Sequence, residues 1–286
     1  MKPVINIFWF RRDLRLEDNC GLFHALNSGK KVLPIFIFDD NILHKLPKDD
    51  ARVSFIHQQL EQIQNQLLEI DSSLSVFYGK PINIYKKLSE TYVIESVFTN
   101  HDYEPYALER DAEINDLLTS KNIRFKTYKD QVIFERNDIV KKDGTPYKVY
   151  TPYSKKWLEA FHFKGIKFFP SEAKVSNFIK KGAAHFLSLS DIGFTKSTIE
   201  VASYKVSETL INSYEETRNF PHKNSTSKLG THLRFGTVSI RKMVNKAAKS
   251  NNNTFLKELI WREFFMQILW HFPHTITQSF KPQYDA

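Results

Sequence analysis

An open, doubly wound α/β domain with a parallel sheet, followed by an all-helical region, is the fold class this sequence predicts. Three observations predict it. Short, continuously apolar runs recur through the first 130 residues, as strands buried on both faces of a parallel sheet do. Amphipathic stretches separate them; the clearest sets Val53, Ile56, Leu60, Ile63, Leu67 and Ile70 on one 3.6-residue stripe. After Ala202 the pattern is helical.

Taken in order, strands are expected at 4–10, 32–38, 75–77, 97–99 and 124–128. Between them, 51–70, 82–91 and 106–120 read as crossover helices, the arrangement that places helices on both faces of a sheet. Asp18 or Asn19 caps a helix start after the first strand. Lys141-Lys142-Asp143-Gly144 is a turn signal, 147–153 is aromatic and extended, and 154–161 is a short helix. From Pro170 to about Glu200 the periodicity fades and Lys, Ser and Gly recur, as in a connector lying over a surface. Helices follow at 203–218, from Ser239 to about 249, and at 255–270, the first stopped by Asn219-Phe220-Pro221 and the last by His271-Phe272-Pro273. The expected organisation is an α/β domain over 1–130, a connector over 131–201 and a helical region over 202–286.

Bulk properties narrow the function. A chain of 286 residues has room for two domains. No apolar run approaches the roughly 20 residues needed to span a bilayer, and the start turns charged at Arg11-Arg12-Asp13 too soon for a signal peptide. A single cysteine, Cys20, excludes an internal disulfide and a cysteine-based metal cluster; a reducing cytoplasm is the expectation, with no metal site. Net charge is +9, yet residues 1–130 hold 17 Lys and Arg against 19 Asp and Glu, so all the positive excess lies in the second half. That bias suits a polyanion partner, through counterion release, and equally suits a lysine-rich soluble surface. No G-x-G-x-x-G follows the first strand and no G-x-x-x-x-G-K-[ST] occurs, which excludes the usual dinucleotide and triphosphate loops. A ligand on such a sheet belongs beyond the carboxyl ends of its strands, at Arg11–Asp13, Asp39-Asp40 and 100–104.

In the last long helix Glu258, Trp261, Arg262 and Phe265 recur at i, i+3, i+4 and i+7 and share a face. Read alone, this is a Glu258–Arg262 ion pair with Trp261 packed beside it. Likewise Thr226-Ser227-Lys228 is a capped helix start, or a phosphate cradle of two hydroxyls, a lysine and backbone N–H groups.

Together these segments resemble the photolyase/cryptochrome family. Glu258-Leu259-Ile260-Trp261-Arg262-Glu263-Phe264 is similar to that family's E-L-x-W-R-E-F. Tyr214…Arg218-Asn219-Phe220-Pro221 is similar to Y-x-x-x-R-x-F-P, and Thr226-Ser227-Lys228-Leu229-Gly230 to T-S-x-L-S, with Gly230 replacing the last serine. The stretch 232–241 continues the match to L-x-F-G-x-[ILV]-S-x-R. Trp9–Asn19 follows the family's opening W-F-R-R-D-L-R-x-x-D-N, with Arg11 and Arg15 available to pair across the domain junction. Tyr147–Tyr153 with Trp157 resembles Y-x-V-[YF]-T-P-[YF]…W, which implies a linker seated against the sheet.

The resemblance implies light-driven repair of cyclobutane pyrimidine dimers in DNA by electron transfer from reduced FAD. It implies Glu258 and Trp261 as catalytic residues, Glu258 hydrogen-bonding a flipped dimer and Trp261 stacking on its bases. FAD would be held by Tyr214, Thr226, Ser227, Lys228, Leu229, Gly230 and Arg262. Arg241 would hold the DNA backbone. The α/β domain would carry a second antenna chromophore through Asp39, Arg52, Asp102 and Glu104, of 5-deazaflavin type in preference to methenyltetrahydrofolate, since Tyr106-Ala107 replaces the folate-type Asn-Glu. Asp102, Glu104 and Arg52 read equally as a surface ion-pair network. The partner is DNA containing pyrimidine dimers, without a membrane, and the chain is expected to be a monomer. Family members continue beyond the position of Tyr284 with further flavin-contacting residues and a tryptophan relay. The expectation is therefore an incomplete flavin domain, with Trp261, Phe264 and Phe265 left exposed and catalysis of the chain alone in question. A cryptochrome-like photoreceptor and a non-catalytic antenna- or nucleotide-binding fragment are the alternatives.

Overall fold

The structure, a computed structural model, describes residues 3–182 and 185–284. In chain order it runs β1 (Val4–Phe10), α1 (Cys20–Leu26), β2 (Val32–Asp39), α2 (Asp40–Leu43), α3 (Ala51–Leu68), β3 (Ser75–Gly79), α4 (Pro81–Thr91), β4 (Val93–Asn100), α5 (Pro105–Ser120) and β5 (Arg124–Tyr128). All five strands are parallel, in the order β3-β2-β1-β4-β5. Central β1 pairs Ile7 with Leu33 on one side and with Val97 on the other.

Alternation along β1 explains why both faces of the sheet are covered. Ile5, Ile7 and Trp9 pack with Tyr85 and Leu88 of α4 and Ile114 and Leu118 of α5. Phe8 and Phe10 pack with Leu22 of α1 and Leu60, Ile63 and Leu67 of α3 on the opposite face. Successive side chains point to opposite faces, so a run whose one polar residue, Asn6, is itself buried commits both to burial. The turn after β1 is locked from within. Asn19 caps α1 by accepting from Leu22 N at 3.1 Å, and Asn100 ties the end of β4 to Asp13, Asn19 and Gly21 N. A Cβ at Gly21 would stand 2.7 Å from the Asn100 side-chain oxygen; only glycine lets α1 approach β4 this closely.

Beyond the sheet come α6 (Tyr150–Lys164), two 3₁₀ turns at Ser171–Asn177 and Ser190–Ile192, then α7 (Glu208–Thr217), α8 (Leu229–Phe235), α9 (Ile240–Ala247) and α10 (Thr254–His271). Two helix starts differ from expectation. α6 begins at Tyr150, because Pro152 falls in its first turn, where an N–H has no intrahelical partner. α7 begins five residues later than the pattern suggested, where the Ser207 hydroxyl accepts from Leu210 N at 3.1 Å.

Hydrophobic packing corrects the reading of 147–157. Tyr153 and Trp157 do not seat the chain on the sheet. They are buried with Phe134, Phe264 and the helices of the second half, in a separate core. The later connector residues Phe178, Ile192 and Phe194 instead join the sheet's core, and Ile179 N donates to Val32 O at 2.9 Å.

The two cores meet across a buried ionic junction. Arg15 donates to both oxygens of Asp130 at 2.7 and 2.9 Å and to Gly236 O. Arg241, the residue expected to hold DNA, is 5% exposed and faces Asp18 and Asp130 at 2.8 Å each. It is a structural clamp between α9 and the α/β region, with no free face for a phosphodiester. Burial pushes the Asp130 carboxyl up, but Arg15 and Arg241 outweigh it and hold it at about 2. Arg11, by contrast, pairs within the α/β region with Asp111 at 2.5 Å. Among the described residues no helix is long and apolar enough to cross a membrane, and no cluster of ligating side chains could hold a metal ion.

Candidate cofactor-binding site

One face of α10 clamps the segment that follows β5, and this sets what its neighbouring face presents. Glu263 is fully enclosed and accepts from Ile133 N at 2.7 Å, Phe134 N at 2.9 Å and Trp157 Nε1 at 2.6 Å. Gln267 donates to Phe134 O, and Arg262 donates to Gln131 O at 2.8 Å and Leu233 O at 3.2 Å. Burial pushes the Glu263 carboxyl up to about 7 against those three donations, and burial lowers the Arg262 guanidinium to about 10. Four backbone groups of the clamped segment, Gln131 O, Ile133 N, Phe134 N and Phe134 O, thereby find partners on α10.

Fixed in this way, α10 directs Phe255, Glu258, Leu259, Arg262 and Met266 into a cleft of about 440 Å³. Tyr214 of α7 and Ser227, Leu229, Gly230, Leu233 and Arg234 of the α8 region form the other side, with Arg12 and Gln131 at the back. Lys228 takes a left-handed backbone, φ +57°, that turns the chain into α8. Of the residues expected to hold a flavin, Tyr214, Ser227, Leu229, Gly230 and Arg262 line this cleft, while Thr226 and Lys228 flank it without lining it.

The i,i+4 pair expected between Glu258 and Arg262 does not form. Arg218 of the Tyr214–Pro221 segment pairs with Glu258 instead, because the clamped segment has already taken the Arg262 guanidinium. Trp261 turns away from the cleft, against Tyr150, Phe264 and Phe265. Phe265 is 61% exposed, as expected, but Phe264 is buried.

A second cavity, of about 510 Å³, opens beyond the carboxyl ends of β1, β2 and β4. Asp39, Arg52, Asp102 and Glu104 all line it, over an apolar floor that includes Phe36, Phe38, Val53, Ile56 and Phe235. They do not form a single ion-pair network. Arg52 is held by Asp50 at 2.6 Å, whereas Asp102 and Glu104 share Arg12 at 2.9 and 3.1 Å. Asp39 accepts from Tyr106 Oη at 2.6 Å, and burial with that hydrogen bond pushes the Tyr106 phenol up to about 12. Arg12, Gly230 and Arg234 border both cavities, and Arg234 reaches Glu104 at 2.7 Å.

Sequence reasoning missed Arg12, Gln131, Arg218, Arg234 and Met266 as lining or pairing residues. Arg12, Arg218 and Arg234 lay inside recognised motifs, and nothing local showed which way their side chains turn. Gln131 and Met266 carry no signal before the chain folds.

A family model described as DNA photolyase matches residues 6–173. A deoxyribodipyrimidine photo-lyase of Synechococcus sp. is 30% identical over 93% of this chain and 60% of its own length. One of Halobacterium salinarum is 28% identical over 97% of this chain and 64% of its own. The crystal structure of a bacterial class III photolyase from Agrobacterium tumefaciens superposes with a TM-score of 0.81 at 25% identity, covering the whole chain and 63% of that protein. The chain thus spans less than two thirds of the length of these relatives.

Proposed function

Because the chain belongs to the DNA photolyase family, we propose that its cleft is the flavin site of a deoxyribodipyrimidine photo-lyase, acting with FAD on pyrimidine dimers in DNA. One observation carries this reading: Tyr214, Ser227, Leu229, Gly230, Glu258 and Arg262, separated by up to 48 positions, converge on one cleft.

The residues present fit a flavin dinucleotide. Arg12, Arg234 and Arg262 line the cleft; Asp102 and Glu104 balance the first two from the neighbouring cavity and Arg218 neutralises Glu258, so the excess positive charge is that of Arg262, on a wall rich in guanidinium donors that suits a pyrophosphate. The Arg12 Nε is buried without a partner. No heavy atom lies within 4 Å of where a Cβ of Gly230 would stand, so a phosphate can approach backbone there. Leu229, Leu233, Phe255, Leu259 and Met266 supply the apolar walls such pockets need. When bound and excited by light, the flavin supplies the electron that splits a cyclobutane dimer.

The chain's own residues bind and orient. Tyr214, Ser227 and the turn at Lys228 would hold the nucleotide, and Arg262, immobilised by two carbonyls, would face the ring system. Glu258 is half-exposed at the mouth, with the Arg218 guanidinium beside it as a donor to a flipped base's carbonyl oxygens. Trp261, a few residues on along α10, would offer a stacking surface, as enzymes that extrude a base require. The second cavity, with its aromatic floor and mixed-charge rim, would take a planar antenna chromophore of deazaflavin type.

The test is the visible spectrum of the purified protein after gel filtration, followed by a dimer-splitting assay under blue light. Retained flavin bands and repair support the proposal. A colourless protein that also fails to take up added FAD overturns it for this chain. Bound flavin without repair favours the photoreceptor reading.

A further inference from the structure

We propose that Tyr150 is a positioning residue that holds the Trp261 indole as a one-sided stacking platform for a base. The inference rests on the reading of Trp261 as the base-stacking residue. Tyr150, the first residue of α6, lies face to face with Trp261, ring centroids 3.6 Å apart and planes within 7°. Its hydroxyl donates to the carbonyl of Lys257 at 2.9 Å, so the phenol is tied to the same helix that carries the indole. Phe264 meets both rings at near right angles, 71° to Tyr150 and 77° to Trp261. The indole is therefore braced on one face and along an edge.

An indole has two faces, and Tyr150 covers one at van der Waals distance, so a base has at most the other, which the half-buried indole shares with Phe265. That fixes which side of α10 the nucleic acid approaches and limits Trp261 to one base at a time. Braced aromatic rings also lose little freedom on stacking, which favours affinity. Phe265 stacks on the indole more loosely than Tyr150, at 5.5 Å and tilted by 25°, and is largely exposed, so it is the ring that an incoming base would slide against or displace. The carboxylate of Glu258 lies close enough to Tyr150 to act with burial in pushing its phenol up to about 12, so the platform and the proposed base reader share one neighbourhood. At neutral pH the phenol keeps its proton and its hydrogen bond to Lys257.

The experiment uses the full 286-residue chain and a short fluorescent oligothymidylate, with affinity read by anisotropy and the ring pair by near-UV circular dichroism. Trp261→Ala should weaken binding about 10-fold, the scale of one stacked base. Tyr150→Leu should lose the near-UV signal of the pair and weaken binding nearly as much. Tyr150→Phe, which keeps the ring, should stay within about 2-fold of wild type. The double variant should bind no worse than Trp261→Ala, since the two act as one unit. Tyr150→Met, flexible and without a ring, carries the same comparison if the leucine variant folds poorly. Wild-type affinity in the ring-less variants, with Trp261→Ala still weakened, overturns the role of Tyr150 and leaves the platform standing. Unchanged affinity in Trp261→Ala overturns both.

Discussion

Replacing Glu263 by Gln tests how α10 is held to the segment after β5. The carboxylate accepts three N–H donors in a fully enclosed site, and burial raises it from 4.5 in the unfolded chain to about 7 when folded. The sign follows from that direction. A group whose folded value is raised contributes stability that is complete below the unfolded value and is lost as pH rises through the folded one. A shift of roughly 2.5 units at 1.36 kcal/mol each makes the loss about 3 kcal/mol between pH 4.5 and somewhat above 7. Glutamine does not titrate; its one acceptor oxygen can keep Phe134 N and Trp157 Nε1, while its NH₂ faces Ile133 N and leaves that donor unpaired, at about 1–3 kcal/mol. Wild type loses this contribution as pH rises and the variant does not, so the stability of the variant relative to wild type rises by about 3 kcal/mol between pH 4.5 and pH 8. Urea unfolding followed by tryptophan fluorescence at pH 5, 6, 7 and 8 measures the relative stability directly. A relative stability that stays constant, or falls as pH rises, would refute the argument that burial dominates over the three donations.

Two further expectations concern the junction between the cores. Asp130→Asn leaves the buried guanidiniums of Arg15 and Arg241 without their common carboxylate and should cost about 3–5 kcal/mol in chemical denaturation. Because Asp130 is held at about 2, below its usual 3.8, its stabilisation is present above 3.8 and is lost as pH falls through 2; equal wild-type and variant stability at pH 6 would count against it. Gly236→Ala places a Cβ 2.2 Å from Arg12 O at φ +63°. It should lower stability by at least about 2 kcal/mol in calorimetry, whereas Gly230→Ala, in open space, should stay within about 0.5 kcal/mol. Equal melting temperatures for the two glycine variants would contradict the close approach of α8 to the turn after β1.

The sheet was legible because its signal is local. A strand buried on both faces is mostly apolar, so β1 and β2 were readable to within a residue of their ends, and the stripe of α3 showed its inner face. The short helices α2 and α8 were harder. A four- or seven-residue helix presents barely one or two turns of periodicity, and tertiary contact, not pattern, holds it. The same division runs through the site. Motif order marked Tyr214, Ser227, Glu258 and Arg262, because the covalent spacing of a motif survives in sequence. Partner choice did not survive. Glu258 pairs with Arg218 and not with Arg262; Arg241 closes on Asp18 and Asp130, more than 110 positions away; Tyr150 lies flat on Trp261 across 111 positions. By itself, then, the sequence determined the alternation of elements and the residue types of the cleft. Only the tertiary structure decided which charges neutralise which and which faces stay open, since desolvation and charge pairing depend on neighbours in space, and those exist only once the chain has folded.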